Sequence, residues 1–239
     1  MDIPLSQIKP IYLLQPAGCC SSPPSSSEPP LIQQTIDTLK LQKHMEGGYF
    51  VETDRDPLRV PNPFFTSHTY ELSDGTKNLQ KEEEEESADN STRSASTSIF
   101  YLLTPGSPMG AFHRNKGRTV HTLHRGRGRY VIIHADEVEE ENGGRTKKAR
   151  VESFVVGQNI QAGERLQWIV EGGKYKSSYL LPDEREEGES EGGLLISETV
   201  VPGFEYLDHD FMLPEELEEL VTPEHARTLS WMLRKPDSG

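Results

Sequence analysis

The sequence predicts a mainly β domain, a sandwich or small barrel of short strands with helices at its ends, and three observations carry that expectation. The stretch Ser98–His134 reads as three short strands, Ile99–Leu103, Val120–His124 and Tyr130–His134, separated by Pro/Gly-rich or basic turns, and it holds four of the eight histidines. Paired glycines, Gly47-Gly48 and Gly172-Gly173, punctuate further strand-like runs. Apolar residues concentrate at 31–72, 99–134, 151–181 and 194–233, so one core with long polar insertions suits the 239 residues better than two domains.

Taken in order, residues 1–30 end in SSPPSSSEPP and are expected to form a disordered arm, since such a composition buries too little apolar surface to offset the entropy of ordering. Leu31–Lys43 places Ile32, Ile36 and Leu39 on one face behind Pro29-Pro30, the pattern of a helix with a proline start. His44–Asp56 follows as a Gly-Gly turn and a strand. Residues 73–97 contain the Glu82–Glu86 run, a self-repelling block expected in a solvated loop. After the central stretch, Ala135–Arg150 reads as an enlarged hairpin loop leading into Val151–Val156. Strands at Leu166–Val170 and Lys176–Leu181 come next, with turns at Gly163-Glu164 and Gly172-Gly173. A polar insert, Asp183–Gly193, precedes the strand Leu194–Val201. Phe204–Phe211 is mixed. Pro214–Val221 opens a helix, and Thr222-Pro223-Glu224 starts a second whose apolar stripe is Ala226, Leu229 and Leu233. The expected organisation is an arm at 1–30, a core at 31–212 with inserts near 74–97, 136–149 and 183–193, and a helical tail at 213–239.

A formal charge of −14 opposes binding to a nucleic-acid polymer, although the basic run Arg114–Arg129 could receive a small anion. Cys19 and Cys20, the only cysteines, are adjacent, which gives neither a disulfide framework nor metal-ligand spacing. The apolar run Ile11–Leu14 is too short for a signal or a membrane span, so a cytoplasmic protein, with the nucleus as a second compartment, is expected.

This order of a helix and at least eight short strands resembles the cupin superfamily, a double-stranded β-helix or jelly-roll barrel with an N-terminal helix and C-terminal helices. The nearest likeness is to its single-domain cupin-5 group. The residues that carry it are EGGYF (Glu46–Phe50), SIFYLL (Ser98–Leu103), His113, HTLHRG (His121–Gly126), VVGQNIQAGE (Val155–Glu164), VEGGKYKSS (Val170–Ser178) and VVPGFEY (Val200–Tyr206). In metal-binding cupins two signatures supply three histidines and a glutamate. Laid on this chain, they put His113 at the first histidine, Asn115 at the second, Thr119 at the glutamate and Lys176 at the last histidine. An ammonium, a hydroxyl and an amide do not converge on a cation, so neither a metal nor another cofactor is expected. Alternation lets His121 point inward with Thr119 while His124 points away, which leaves open a site from His113 plus His121.

The resemblance extends to metal-independent sugar-nucleotide epimerases. In an isomerase of that kind, His113 would be the base, Lys176 would neutralise an enolate or phosphate, and Tyr130 or Tyr175 would donate a proton. The alternatives are a non-catalytic barrel that binds a small polar ligand and a scaffold whose contacts lie in the acidic inserts. The candidate catalytic residues are therefore His113, Lys176 and Tyr130. Candidate ligand-binding residues are Glu46, Tyr49, Asn115, Thr119, His121, Tyr175 and Glu198. Glu198 sits mid-strand among apolar residues, where burial needs a partner, and a pocket position is preferred over an outward one. A small polar or anionic ligand, such as a sugar nucleotide, would bind with Lys176 and His113 on the floor. A homodimer is expected to pair through the strand around Tyr49–Thr53.

Overall fold

The computed structural model describes residues 7–12, 28–65, 90–138, 140–141, 145–146, 148–183 and 190–235. Cys19 and Cys20, the Glu82–Glu86 run and most of the Ser/Pro-rich arm lie outside them. Helix α1 (Pro30–Leu39) leads into β1 (Gln42–Lys43), β2 (Tyr49–Arg55), β3 (Arg59–Pro61), β4 (Thr92–Ser94) and β5 (Thr97–Leu103). Then come β6 (Met109–Asn115), β7 (Arg118–Arg125), β8 (Gly128–Ile133), β9 (Glu140–Glu141), β10 (Arg145–Thr146) and β11 (Val151–Val156). The chain continues through β12 (Gln167–Val170), β13 (Tyr175–Leu180), β14 (Leu194–Val201), β15 (His209–Phe211), α2 (Pro214–Leu220) and α3 (Pro223–Leu229).

Two antiparallel sheets dominate, one ordered β1-β2-β5-β14-β7-β12 and the other β11-β8-β13-β6-β15. Side chains alternate across each strand, so each sheet gives one face to the interior and one to a covering layer. Between the sheets pack Tyr101, Leu103, Tyr130, Phe154, Trp168 and Ile196. On the outer face of the first sheet, α1 lays Ile32 and Ile36 against Leu102. On the outer face of the second, Leu217, Leu229 and Met232 from the C-terminal segment bury Phe112, Tyr175 and Tyr179. This is the mainly β jelly roll, with helices at both ends, that the sequence predicts.

The differences are local and physical. Helix α1 stops at Leu39, where Lys40 takes a left-handed conformation (φ 57°) and its N–H caps the helix, freeing Gln42 and Lys43 to pair with β2. The expectation that 1–30 lies outside the core fails at Ile8, which is 3% exposed among the residues under the C-terminal helices. The Ser/Pro bias of the arm as a whole hid this isoleucine. Insert 74–97 also runs too far, because β4 and its buried Arg93 and Ser94 fall inside it. Arg93 donates to both carboxylate oxygens of Asp208, at 2.9 and 3.2 Å, across 115 residues of sequence. Ala149 and Ser190, at the ends of the other two inserts, are buried as well, while 184–189 lies outside the described residues. Strand β6, which the sequence reads as turn, is a full strand, and so is the short β15 beside it.

The Arg93–Asp208 pair yields a direct test. Both side chains are almost wholly buried, so Arg93→Met strands the Asp208 carboxylate and is expected to cost about 3–5 kcal/mol in urea unfolding. Arg93→Met combined with Asp208→Leu is expected to recover most of that loss, since the double change leaves no buried charge.

Candidate functional site

The interior strands bring two groups of ionisable side chains together. In the first, alternation on β7 turns His121 inward, alternation on β14 turns Glu198 inward, and the two are cross-strand partners. Lys176 reaches them from β13 in the opposite sheet. Its Nζ donates to Glu198 Oε2 at 2.7 Å and to His121 Nε2 at 3.0 Å. Because Nε2 accepts, the His121 proton belongs on Nδ1. Burial and the adjacent ammonium push the pKa of His121 below 6.5, and the ring stacks on Trp168 with centroids 5.1 Å apart. Burial works against the Glu198 carboxylate, but Lys176 and His121 outweigh it and hold Glu198 well below the usual carboxylate range.

The second group gathers on Glu46. The Gly47-Gly48 turn places this residue: Ala111 N–H donates to the Glu46 carbonyl at 2.7 Å, and Tyr101 Oη–H donates to the Gly47 carbonyl at 2.9 Å. Gly47 has φ +109°, and a Cβ there would overlap the Met109 carbonyl, so the turn demands glycine. The Glu46 carboxylate lies 2.9 Å from His209 Nε2 and 3.3 Å from His113 Nε2. Strand pairing sets these neighbours, since His209 faces Asn115, and His113 faces Phe211 on one side and Lys176 on the other. Burial opposes ionisation of Glu46, yet His113, the His209 hydrogen bond and Lys176 hold it down at about 2. Burial lowers His113 to about 4 despite the neighbouring carboxylate, so its ring is neutral at pH 7. Its Nδ1 lies 2.9 Å from the Ala111 carbonyl, an acceptor only, which places the proton on Nδ1 and leaves Nε2 bare.

A cavity of about 120 Å³ opens between the two groups, with Glu46, His113, Asn115 and Glu198 in its wall and the aromatic ring of Phe50 beside them. Arg55, Glu52 and Glu205 also line it. Arg55 is already bonded to both glutamates, at 2.8–3.0 Å. Four carboxylates thus line the cavity against one guanidinium. Its wall is rich in acceptors: besides Glu46 and His113 Nε2, the Asn115 Oδ1 is buried with no hydrogen-bond partner among the described residues.

Of the ten candidate residues, the structure sets Glu46, His113, Asn115 and Glu198 in the cavity wall, with Lys176 and His121 bonded to Glu198 behind it. Tyr130 lies deeper, edge-on to Trp168 at 4.6 Å and to His121 at 5.5 Å, and burial raises its pKa well above 10. Thr119 is buried and is not part of the cavity lining. Tyr175 projects to the opposite face of β13 from Lys176, under α2, where its hydroxyl donates to Glu216 at 3.0 Å. Tyr49 packs on the outer face beside α1, its hydroxyl 3.3 Å from Glu28. The buried partner of Lys176 is Glu198. His209, His44 and Trp168 were missed. His209 stands in a mixed segment with no periodicity, and only the pairing of β15 with β6 brings it to Glu46.

This two-sheet architecture around an internal polar cavity defines the cupin superfamily. Within it the chain belongs to Cupin_5 (DUF985), whose model matches residues 33–212. It is 42% identical over 212 residues to "Uncharacterized protein YML079W" of Saccharomyces cerevisiae, covering 87% of this chain and 89% of the yeast protein. Among solved structures it is similar to a hypothetical protein from Leishmania major (TM-score 0.61, 26% identity, 85% of this chain and 98% of the other). It also shares its fold with protein SO0799 from Shewanella oneidensis (TM-score 0.57, 20% identity, 85% and 97%). The superfamily's usual metal positions fall here on His113, Asn115, Thr119 and Lys176, and they do not fit a cation. The Lys176 ammonium takes the last position and is bonded to Glu198 and His121.

Lys176→Met leaves Glu198 buried without its countercharge and is expected to destabilise the fold by about 3–5 kcal/mol in denaturant unfolding. The same groups set a pH dependence. The folded-state pKa of His121 is lowered, so below 6.5 the unfolded chain binds a proton the native state refuses, and stability falls as pH falls. The lowered pKa of Glu198 acts in the same direction below 4.5. Urea midpoints are expected to drop steadily from pH 7.5 to pH 5 and more steeply below pH 4.5. A midpoint that rises on acidification would contradict the arrangement.

Proposed function

We propose that this cupin binds one small, polyhydroxylated molecule in the cavity, with the molecule's hydroxyls donating to Glu46 and Asn115. One observation carries the reading: the polar wall is built mainly of acceptors, its lining cation Arg55 is bonded to Glu52 and Glu205, and Lys176 behind it is bonded to Glu198 and His121. A wall of that kind favours donor-rich neutral ligands over anions. The volume is below the roughly 300 Å³ where drug-sized sites begin, which suits a single sugar ring rather than a whole sugar nucleotide. If the ligand is a sugar nucleotide, its phosphates lie outside the mouth on the side of Arg55.

An isomerase or epimerase asks for more. Of the three side chains proposed for proton transfer, Lys176 is tied to two partners, and Tyr130 is buried behind the cavity wall with its proton firmly held. Binding without turnover is therefore the reading we favour. We also propose that the protein is a homodimer formed along β2. Among the described residues β1 covers only Tyr49 and Phe50 of that strand's outer edge, leaving Val51–Arg55 open to a second chain. Light scattering at micromolar concentration is expected to return twice the chain mass.

Calorimetric titration in chelator, with matched neutral sugars, sugar phosphates and nucleotide sugars, tests the ligand class. Neutral sugars are expected to bind more tightly than their phosphates, and Asn115→Leu to weaken them about tenfold, the loss of roughly one hydrogen bond. Tighter binding of the phosphates, unaffected by Asn115→Leu, would overturn the reading.

A further inference from the structure

We propose that Glu46, His113 and His209 form a site for a divalent transition metal, with Asn115 Oδ1 as a fourth donor. The three ligand atoms lie within 4.8 Å of one another. Atoms about 2.0–2.2 Å from a shared metal sit roughly 3–4 Å apart, so small side-chain adjustments close the set. Two imidazoles and one carboxylate suit iron, manganese, cobalt or zinc in the +2 state, with positions left open toward the cavity.

Three independent features point to a cation here. His113 brings its Nε2 to within 3.3 Å of the Glu46 carboxylate, a separation that two ligands of one shared cation adopt. The bond from His113 Nδ1–H to the Ala111 carbonyl is also the arrangement that fixes the tautomer of a metal-ligating histidine. Asn115, 9% exposed, lines the same cavity and holds a buried Oδ1 that has no hydrogen-bond partner among the described residues, at the position paired with His209. Finally, the carboxylate-rich lining leaves a cation favoured in the cavity. On binding, the His209 ring takes the tautomer with its proton on Nδ1, so that the Nε2 now bonded to Glu46 turns a lone pair to the metal.

The site takes only His113 and Asn115 from the positions that the superfamily's metal signatures mark; Glu46 and His209 lie outside them. It occupies the cavity of the proposed function without resting on it, because the sugar titration is run in chelator and the metal titration without sugar. A bound metal would also add affinity for oxygen anions, which the metal-free wall disfavours.

The test is calorimetry and thermal unfolding of the full, chelator-stripped chain with Mn²⁺, Co²⁺ and Zn²⁺ separately. One equivalent per chain and a raised melting temperature are expected for at least one of these metals. Glu46→Gln and His209→Asn are each expected to weaken binding at least about 100-fold, beyond the 10–100-fold that loss of a supporting residue costs. His134→Ala is expected to leave binding unchanged. That residue belongs to the other ligand-rich cluster, His134, Asp136 and Glu137, where Lys174 Nζ already sits 2.7 Å from Asp136 and 2.9 Å from His134. If either metal-site variant fails to fold, Mn²⁺ broadening of the His113 and His209 ring resonances in wild type, with His134 left sharp, decides the matter. No binding by wild type, or binding lost with His134→Ala and kept in Glu46→Gln, overturns the proposal.

Discussion

The Lys176 ammonium, held between Glu198 and His121, is the constraint on which the interior depends. Lys176 belongs to the five-stranded sheet, while Glu198 and His121 belong to the six-stranded one, so the contact ties the sheets through charge where the rest of the interior ties them through apolar packing. Such a pair does not make the fold more stable than a hydrophobic replacement would. Its effect is on placement. It fixes the spacing of the sheets beside the cavity and directs the lysine away from any ligand.

The wall inherits its chemistry from that placement. With Lys176 committed to Glu198, the deep wall keeps the Glu46 carboxylate, the His113 ring and the Asn115 amide, while Arg55 nearer the rim is bonded to Glu52 and Glu205. The interior of a barrel whose last signature position carries an ammonium looks hospitable to anions when the lysine is considered alone. Once its countercharge is in place, the same barrel presents mainly acceptors, which is the ground on which the hydroxyl and cation ligands are proposed.

Much of the fold was legible because it rests on local signals. Period-two alternation placed Thr119 and His121 inward and His124 outward, and β7 follows that pattern. Proline starts located the helices, and the glycine pair located the turn that carries Glu46. The same alternation, applied to β13, separates Tyr175 from Lys176, so grouping both as cavity residues ignored a signal that was present. Tyr49 drew attention through its place in EGGYF, yet its ring packs beside α1. The pairs that shape the site were not legible, because they join distant residues: His209 meets Glu46 across 163 positions, and Arg93 meets Asp208 across 115. No periodicity records such contacts. They follow from which strand ends beside which, and that depends on the whole topology.

The protonation pattern of the buried histidines is the most direct test of this account, because the character of the wall follows from it. Long-range ¹H–¹⁵N correlation spectra of the imidazole nitrogens at neutral pH, in chelator, report each tautomer. The account predicts neutral rings at His113 and His121, each with its proton on Nδ1 and a bare Nε2. An imidazolium at His113, or a proton on His113 Nε2, would put a donor where the structure has an acceptor and would contradict it.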